Sequence, residues 1–481
     1  MTTTIAHIIL YIVIPILVIF IVIASGIFKS DPKNLNKRYQ VRFKLNSGRL
    51  TIDNIKRGVS IIGSAGSGKT ESVVFNLLQH FSAYQFCGII HDYKHFELTE
   101  IAYPLFKAQQ ELHFYTISFD HIHSKVNPIA PRYLPNEESV NELSRVLIEN
   151  LLEVHGETNA TSRFFNDAVE GLLAGMIWKM KTDYPKLCTL PHIIALFESL
   201  PTKRLIAFLS TNITAKSMAS AFINGIESEK QTAGVKSTLS NAFKKMSSQR
   251  IFMVLSEDEV PLDLNHPDHP SVVSVVNNPK YETAYAPISA MIMHTAVKQM
   301  SVRNRRPAFV LMEEAPTIKL LNMPRIPATL RSFDIATIYV MQDKIQNDIL
   351  YGDKASKAIL SNLSYQFFGK ANDPDTARYY EQFFEMIKVP TRSISKNSGL
   401  SMESRITKGE REVSKRRASI FFRLKQGEFI AFADGKDRKV RFKLQNIEKV
   451  MPQLNGTISE QELKFNYEKI YRDVTMIIKS G

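Results

Sequence analysis

Val59-Ser60-Ile61-Ile62-Gly63-Ser64-Ala65-Gly66-Ser67-Gly68-Lys69-Thr70-Glu71-Ser72-Val73-Val74 is the stretch whose reading decides the fold. A short apolar run, Val59 to Ile62, leads straight into G-x-x-x-x-G-K-[ST], and a helical pattern follows from Glu71 to Phe81. The glycines let successive backbone N–H groups converge on phosphate oxygens at a helix N-terminus. In such a loop Lys69 reaches the β- and γ-phosphates and Thr70 ligates Mg2+. Gly63, Ser64, Ala65, Gly66, Ser67, Gly68, Lys69 and Thr70 are therefore the candidate nucleotide-binding residues, on a strand, turn and helix in that order.

Working outward, similar apolar runs recur at Gly88 to Asp92, Leu112 to Phe119, Val272 to Val276, Ala308 to Met312, Ile335 to Met341 and Tyr365 to Phe368. Runs of this length, with turn or helix signals between them, read as buried strands of a mostly parallel sheet in an α/β fold. Nucleotide hydrolysis needs one carboxylate in the metal shell and another to orient water, both at the end of a buried strand. Glu313 and Glu314, directly after Ala308 to Met312, supply that pair, with Glu313 as metal ligand and Glu314 polarising water. Gln342 closes the Ile335 to Met341 run and is placed to sense the γ-phosphate or the water. Asp92 also ends a strand, where ligands of parallel sheets gather.

Between about residue 136 and residue 250 the period becomes helical, in segments such as Glu137 to Val154, Phe164 to Lys181, Pro191 to Leu200 and Lys230 to Met246. Thr189 followed by Pro191 marks a helix start. The expected organisation is an anchor over 1–28, a nucleotide-binding domain over 29–135 and 251–450 split by an all-α insertion over 136–250, and a C-terminal tail over 451–481. Within residues 391–419, large apolar side chains are scarce and eight Lys/Arg stand against three Glu. This segment is expected as a mobile basic loop. Two strands are expected after it, Ser419 to Leu424 and Glu428 to Ala433.

The whole chain has 481 residues, 44% of them hydrophobic, with 61 Lys+Arg against 47 Asp+Glu and a net charge of +14. Those values exclude a wholly disordered chain and a single small module, and they favour a polyanionic partner, nucleic acid or an anionic membrane face. Two cysteines, Cys87 and Cys188, cannot make a disulfide framework. From Ile5 to Phe28 there is no Lys, Arg, Asp or Glu, and as a helix at about 1.5 Å per residue this run is about 36 Å long, enough to cross a bilayer once. Lys29, Lys33, Lys37, Arg38, Arg42 and Lys44 follow it against Asp31 alone, which puts the rest of the chain in the cytoplasm. The pairs His121/His123 and His266/His269 lack partners at zinc-like spacing and read as loop histidines.

Taken together, GSAGSGKT, IIHDYKHFEL, the helical insertion, FVLMEEAPTI and LRSFDIATIYVMQDKIQNDILYG with SNLSYQFFGKANDPDTARYY resemble a type IV secretion coupling protein. The resemblance is to the TraG/TraD-type conjugative ATPases of the FtsK/HerA superfamily and covers about residues 57 to 435. It implies a P-loop, RecA-like domain with ATP and Mg2+ as cofactors. It further implies a ring, usually hexameric, in the inner (cytoplasmic) membrane that delivers relaxase-bound single-stranded DNA to a type IV secretion channel. Arg331, in the Leu330-Arg331 element before the Gln342 strand, matches the arginine that reaches a neighbouring subunit's nucleotide. Glu313 departs from the usual Asp, and only one apolar span is visible where many relatives have two.

Two other functions share these motifs: a P-loop ATPase energising assembly of a secretion apparatus, and a non-hydrolysing docking platform for cargo. An ABC-type subunit is disfavoured by the lack of an LSGGQ-like signature, and a GTPase by the lack of NKxD. The basic 391–419 segment has no aromatic to stack on bases, so following a DNA backbone and lying on anionic lipid stand as equal readings.

Overall fold

The computed structural model describes residues 37–152, 160–225, 229–396, 404–454 and 456–480. The expected membrane span over Ile5 to Phe28 lies outside them. Among the described residues, no helix is long and apolar enough to cross a membrane.

Thirteen strands are described: β1 (Val41–Phe43), β2 (Leu50–Ile52), β3 (Val59–Ile62), β4 (Cys87–Asp92), β5 (His113–Ile117), β6 (Ser271–Val276), β7 (Ala308–Met312), β8 (Ile335–Met341), β9 (Tyr365–Phe368), β10 (Met386–Lys396), β11 (Ser404–Ser414), β12 (Glu428–Ala433) and β13 (Lys436–Arg441). Nine form one sheet in the order β13-β12-β9-β3-β8-β7-β4-β6-β5. From β9 to β5 every pairing is parallel, whereas β12 lies antiparallel to both β9 and β13. Every residue of β3, β4, β6, β7, β8 and β9 is buried. Helices cover both faces of such a sheet, which is why these strands are continuously apolar in sequence rather than alternating. All seven expected strands up to β9 are present in the α/β sheet.

Helices fill the connection between β5 and β6, from Glu137–Leu151 to Gln249–Leu255. The Glu137–Leu151 helix starts at a capping box, in which Asn136 accepts from Ser139 N. Thr189 caps Leu190–Ser199 by accepting from His192 N. Gly171 and Gly175, one turn apart on Ala160–Asp183, let the Ile213–Met218 helix approach closely. A Cβ on Gly171 would stand 2.5 Å from Met218 O, and one on Gly175 2.8 Å from Ala215 O. The layer also recruits the chain's end. Residues expected as a tail form a helix, Glu460–Ser480, packed on Leu190–Ser199 and Gln249–Leu255. Leu463, Ile470, Val474 and Ile477 are buried there, with Tyr471 bonded to Glu198.

Two local expectations are corrected. The basic segment expected as a loop is a two-stranded ribbon, with β10 and β11 paired antiparallel from Met386↔Ser414 to Lys396↔Ser404. Few large apolar residues are needed when backbone hydrogen bonds within a ribbon do the pairing. Ser419 to Leu424, expected as a strand, instead contains a helical turn, Ala418–Phe421. The free edge of β9 is already taken by β12, and Phe421 packs against Tyr380 and Phe384.

Candidate nucleotide site at the carboxyl edge of the sheet

Three adjacent parallel strands, β3, β8 and β7, end side by side, and β4 follows β7. Lys69, Gln342 and the Glu313/Glu314 pair come from the segments leaving β3, β8 and β7, and Asp92 is the last residue of β4. A site assembled this way draws each group from a different part of the sequence but holds them on one rigid edge.

The loop after β3 is held by its neighbours. Gly63 N donates to Met341 O at 3.2 Å, Ser64 N to Lys370 O at 2.8 Å, and Gly427 N donates to Ser67 O at 2.9 Å. Gly66 and Gly68 have φ of 73° and 82°, a region costly for other residues. A Cβ on Gly68 would also meet Gly427 N at 3.0 Å, while one on Gly66 would meet nothing within 4 Å. Lys69 is buried and donates to Gly63 O at 2.6 Å. Burial lowers its pKa, and the nearby Glu314 charge opposes that shift. The Oγ atoms of Ser64 and Ser67 are buried without a hydrogen-bond partner among the described residues. Thr70 opens a π-helical turn, Thr70–Val74, that passes into the helix Phe75–Ala83.

Opposite this loop, Gln342 Nε2 donates to Glu314 Oε1 at 3.0 Å. Glu314 has left-handed backbone, φ 44° and ψ 53°, and is nearly fully buried. Non-glycine residues in that conformation cluster at functional sites because the surroundings must hold them there. Thr317 does part of the holding, through its N and Oγ1 bonds to Glu314 O at 2.9 and 2.8 Å. His91 does more: its carbonyl accepts from Glu313 N at 3.1 Å, and its Nδ1 donates to Glu313 O at 3.0 Å. Complete burial pushes the His91 pKa down to about 4, so the ring is neutral and carries its proton on Nδ1.

Both carboxylate oxygens of Glu313 are buried without a hydrogen-bond partner among the described residues. Burial raises its pKa, and the charge of Asp92 adds to the rise. Asp92 is half committed elsewhere, its Oδ1 being buried without a hydrogen-bond partner among the described residues. Its Oδ2 accepts from Leu98 N, Thr99 N and Thr99 Oγ1 at 3.2, 2.7 and 2.5 Å, anchoring the start of the helix Thr99–Lys107.

Lys94 is the member of this group that motif reading missed. Its Nζ stands 3.4 Å from Glu313 Oε1 and 3.5 Å from Glu314 Oε1. Burial works to lower its pKa, but Glu313 and Glu314 outweigh it and the net shift is upward. Its only sequence signal was a cation two residues beyond the strand-terminal Asp92.

Arg331 is not brought to this site. It is exposed and begins the turn Arg331–Phe333 at the opposite, amino-terminal end of β8. The seven residues of β8, about 23 Å of strand, separate it from Gln342. Asp263, His266 and His269 place ligand atoms within 4.8 Å of one another, in the loop preceding β6, and His269 Nε2 pairs with Asp263 Oδ1 at 3.1 Å.

A family model for type IV secretory system conjugative DNA transfer matches residues 24–421. The chain belongs to that family. The coupling-protein resemblance drawn from the motifs therefore holds for this conjugative DNA transfer protein. Among solved structures, the bacterial conjugative coupling protein TrwBdeltaN70 in its unbound monoclinic form superposes with a TM-score of 0.67 at 12% identity, covering 85% of this chain and 90% of its own. The plasmid coupling protein TrwB in complex with the ATP analogue ADPNP gives 0.65 at 12% identity, over 87% and 97%. TrwB with ADP and Mg2+ gives 0.64 at 12% identity, over 82% and 87%. At such identity these likenesses establish the fold. A comparison with curated proteins gives no match.

Proposed function

We propose that this conjugative DNA transfer protein is a membrane-anchored, ATP-driven coupling protein that delivers relaxase-bound single-stranded DNA to a type IV secretion channel. The carrying observation is the convergence of Lys69, Gln342 and Glu314 from three adjacent strands, with Gln342 bonded to Glu314. TrwB, which shares the fold, has been captured with ADPNP and with ADP and Mg2+, and the residues here suit the same ligands. The loop Gly63 to Thr70 offers backbone N–H groups and the Lys69 ammonium to a polyphosphate. Glu313, buried with its Oε1 facing the Lys94 ammonium at 3.4 Å and its Oε2 without a hydrogen-bond partner among the described residues, is a group that suits a cation, and with Thr70 it would hold Mg2+. The bound metal and nucleotide supply the charge and the leaving group. Glu314, aimed by Gln342 and by its strained backbone, accepts a proton from water and directs it.

Arg331, exposed and far along β8 from its own site, suits a finger offered to a neighbouring subunit of a hexameric ring, so that assembly gates hydrolysis. Residues 136–250, with the C-terminal helix packed on them, form the cargo-recognising part. The apolar run Ile5 to Phe28 anchors the chain in the inner membrane, with the remainder cytoplasmic.

The test is steady-state ATPase activity of the full chain at low salt, with and without single-stranded DNA, using Lys69→Ala as the blank. Low salt preserves phosphate contacts, which weaken steeply as counterions rise. The proposal expects activity stimulated by DNA. Activity indifferent to DNA would favour the assembly ATPase, and none above the blank in an assembled ring would favour the docking platform.

A further inference from the structure

Lys94 holds a place that neither the phosphate loop nor the glutamate pair explains. It leaves the end of β4, next to the glutamate-bearing β7. Its ammonium bridges Glu313 and Glu314 while remaining one-third exposed, so it can swing without unfolding anything. The backbone on either side is fixed. Tyr93 Oη donates to Glu282 at 3.2 Å, and His95 N donates to Asn277 O at 3.2 Å. His95 Nε2 lies 3.5 Å from Asp120, which also accepts from Asn278 and Tyr285. His95 and Phe96 both have left-handed φ, 50° and 74°, and Phe96 is fully buried. Two successive strained residues persist only where the surroundings over-determine them. A long, partly exposed ammonium paired with Glu313, Glu314 and, at 3.9 Å, Glu97, on a pinned, strained turn, is a built feature of this edge.

Electrostatics says what it does once a nucleotide binds in the manner proposed above, on which this inference rests. A divalent cation on Glu313 repels an ammonium held within 3.4 Å of the same carboxylate. The polyphosphate brings new oxygens to the same edge, where the Lys94 charge adds to the burial that lowers the Lys69 pKa. We infer that Lys94 is a γ-phosphate-sensing positioning residue, whose ammonium passes from the Glu313/Glu314 pair to the terminal phosphate of a bound nucleoside triphosphate. A diphosphate lacks that acceptor, so with ADP the ammonium stays with Glu314. The exchange releases Glu314 for water when a triphosphate is present, and it links the site through Tyr93 and His95 to the helix Glu282–Met300.

The experiment compares the affinity of the full chain for the ATP analogue ADPNP and for ADP, both with Mg2+, in the wild type, Lys94→Met and Lys94→Arg. An ammonium-to-phosphate bond of ordinary strength predicts that Lys94→Met weakens ADPNP binding by about tenfold or more. ADP affinity should hold, and Lys94→Arg should recover most of the ADPNP loss. Equal losses for both nucleotides, no loss for either, or a loss that Lys94→Arg leaves in full would overturn the inference. A wild type that binds neither nucleotide would instead overturn the assignment of the site itself, and the inference with it.

Discussion

Glu314→Gln tests the water-directing role with almost no change of shape. The amide keeps an oxygen where Oε1 stands, so the 3.0 Å bond from Gln342 Nε2 persists, and the backbone at φ 44° is no harder for Gln than for Glu. What is lost is the ability to take a proton from water, together with the charge 3.5 Å from Lys94. A positioned general base contributes about 10²- to 10⁴-fold in rate. That corresponds to about 2.7 to 5.4 kcal/mol of barrier, at about 1.36 kcal/mol per tenfold. Affinity for ADPNP should stay level or rise, because a negative charge beside the polyphosphate has gone. Steady-state kcat and analogue binding, measured on the same preparation, separate the two effects. A kcat loss below about tenfold, or an affinity loss that tracks kcat, would refute the reasoning.

Glu314→Gly examines the strain. Left-handed backbone costs a non-glycine residue about 1 to 3 kcal/mol. The glycine variant recovers that amount, loses the Gln342 bond, worth about 1 kcal/mol, and adds about 0.5 to 1 kcal/mol of chain entropy. The contributions nearly cancel, so the urea midpoint should scarcely move while hydrolysis is lost. A destabilisation beyond about 3 kcal/mol would show that the conformation is not strained.

Arg331→Ala should leave nucleotide affinity unchanged and lower kcat by about 10³-fold or more; mixing it with Glu314→Gln subunits should restore some activity, and a mixture as inactive as its parents would argue against action in trans. The raised pKa of Glu313 carries a sign: above the ordinary carboxylate range the unfolded chain has released this proton while the folded chain keeps it. Stability without Mg2+ should therefore fall as pH rises from that range toward the raised value, more in the wild type than in Glu313→Gln. Urea midpoints at about pH 5 and about pH 7 check this, and a wild-type midpoint that climbs relative to Glu313→Gln would contradict it. His91→Leu strands the buried carbonyl of Glu313, costing about 1 to 3 kcal/mol in urea unfolding, and a neutral result would remove His91 from the support of the pair. Ending the chain at Ser459 uncovers the helical layer beneath Leu463, Ile470, Val474 and Ile477, so limited proteolysis should cut within residues 160–255; unchanged protection there would show that the layer stands without the helix.

The candidate phosphate loop was legible because the chemistry its sequence offers is local. Three glycines, a Lys and a Thr at fixed spacing between a strand and a helix constrain the backbone directly, and Lys69 is buried where that spacing requires. The central strands were equally plain, since burial on both faces leaves uninterrupted apolar runs that few other structures use. Glu313, Glu314 and Gln342 could be picked out as strand-end polar groups, but their meeting could not. Parallel order brings β8 between β3 and β7, and only that order sets Gln342 against Glu314.

Lys94 escaped notice because a lone cation after a strand has no pattern. It matters through residues more than two hundred positions away, and such pairing is decided by packing. The β10–β11 ribbon was missed for the opposite reason: backbone hydrogen bonds form it, and side-chain hydrophobicity barely records them. Similarly, the pattern of Glu460–Ser480 suits an amphipathic helix, but its place on the inserted layer depends on apolar surface that two distant helices expose. Sequence alone determined which chemical groups each strand end carries, since that follows from the residue types and their local backbone. Tertiary structure decided which of those ends face one another, and it left Arg331 at the far end of β8 from the site that Gln342 helps to build.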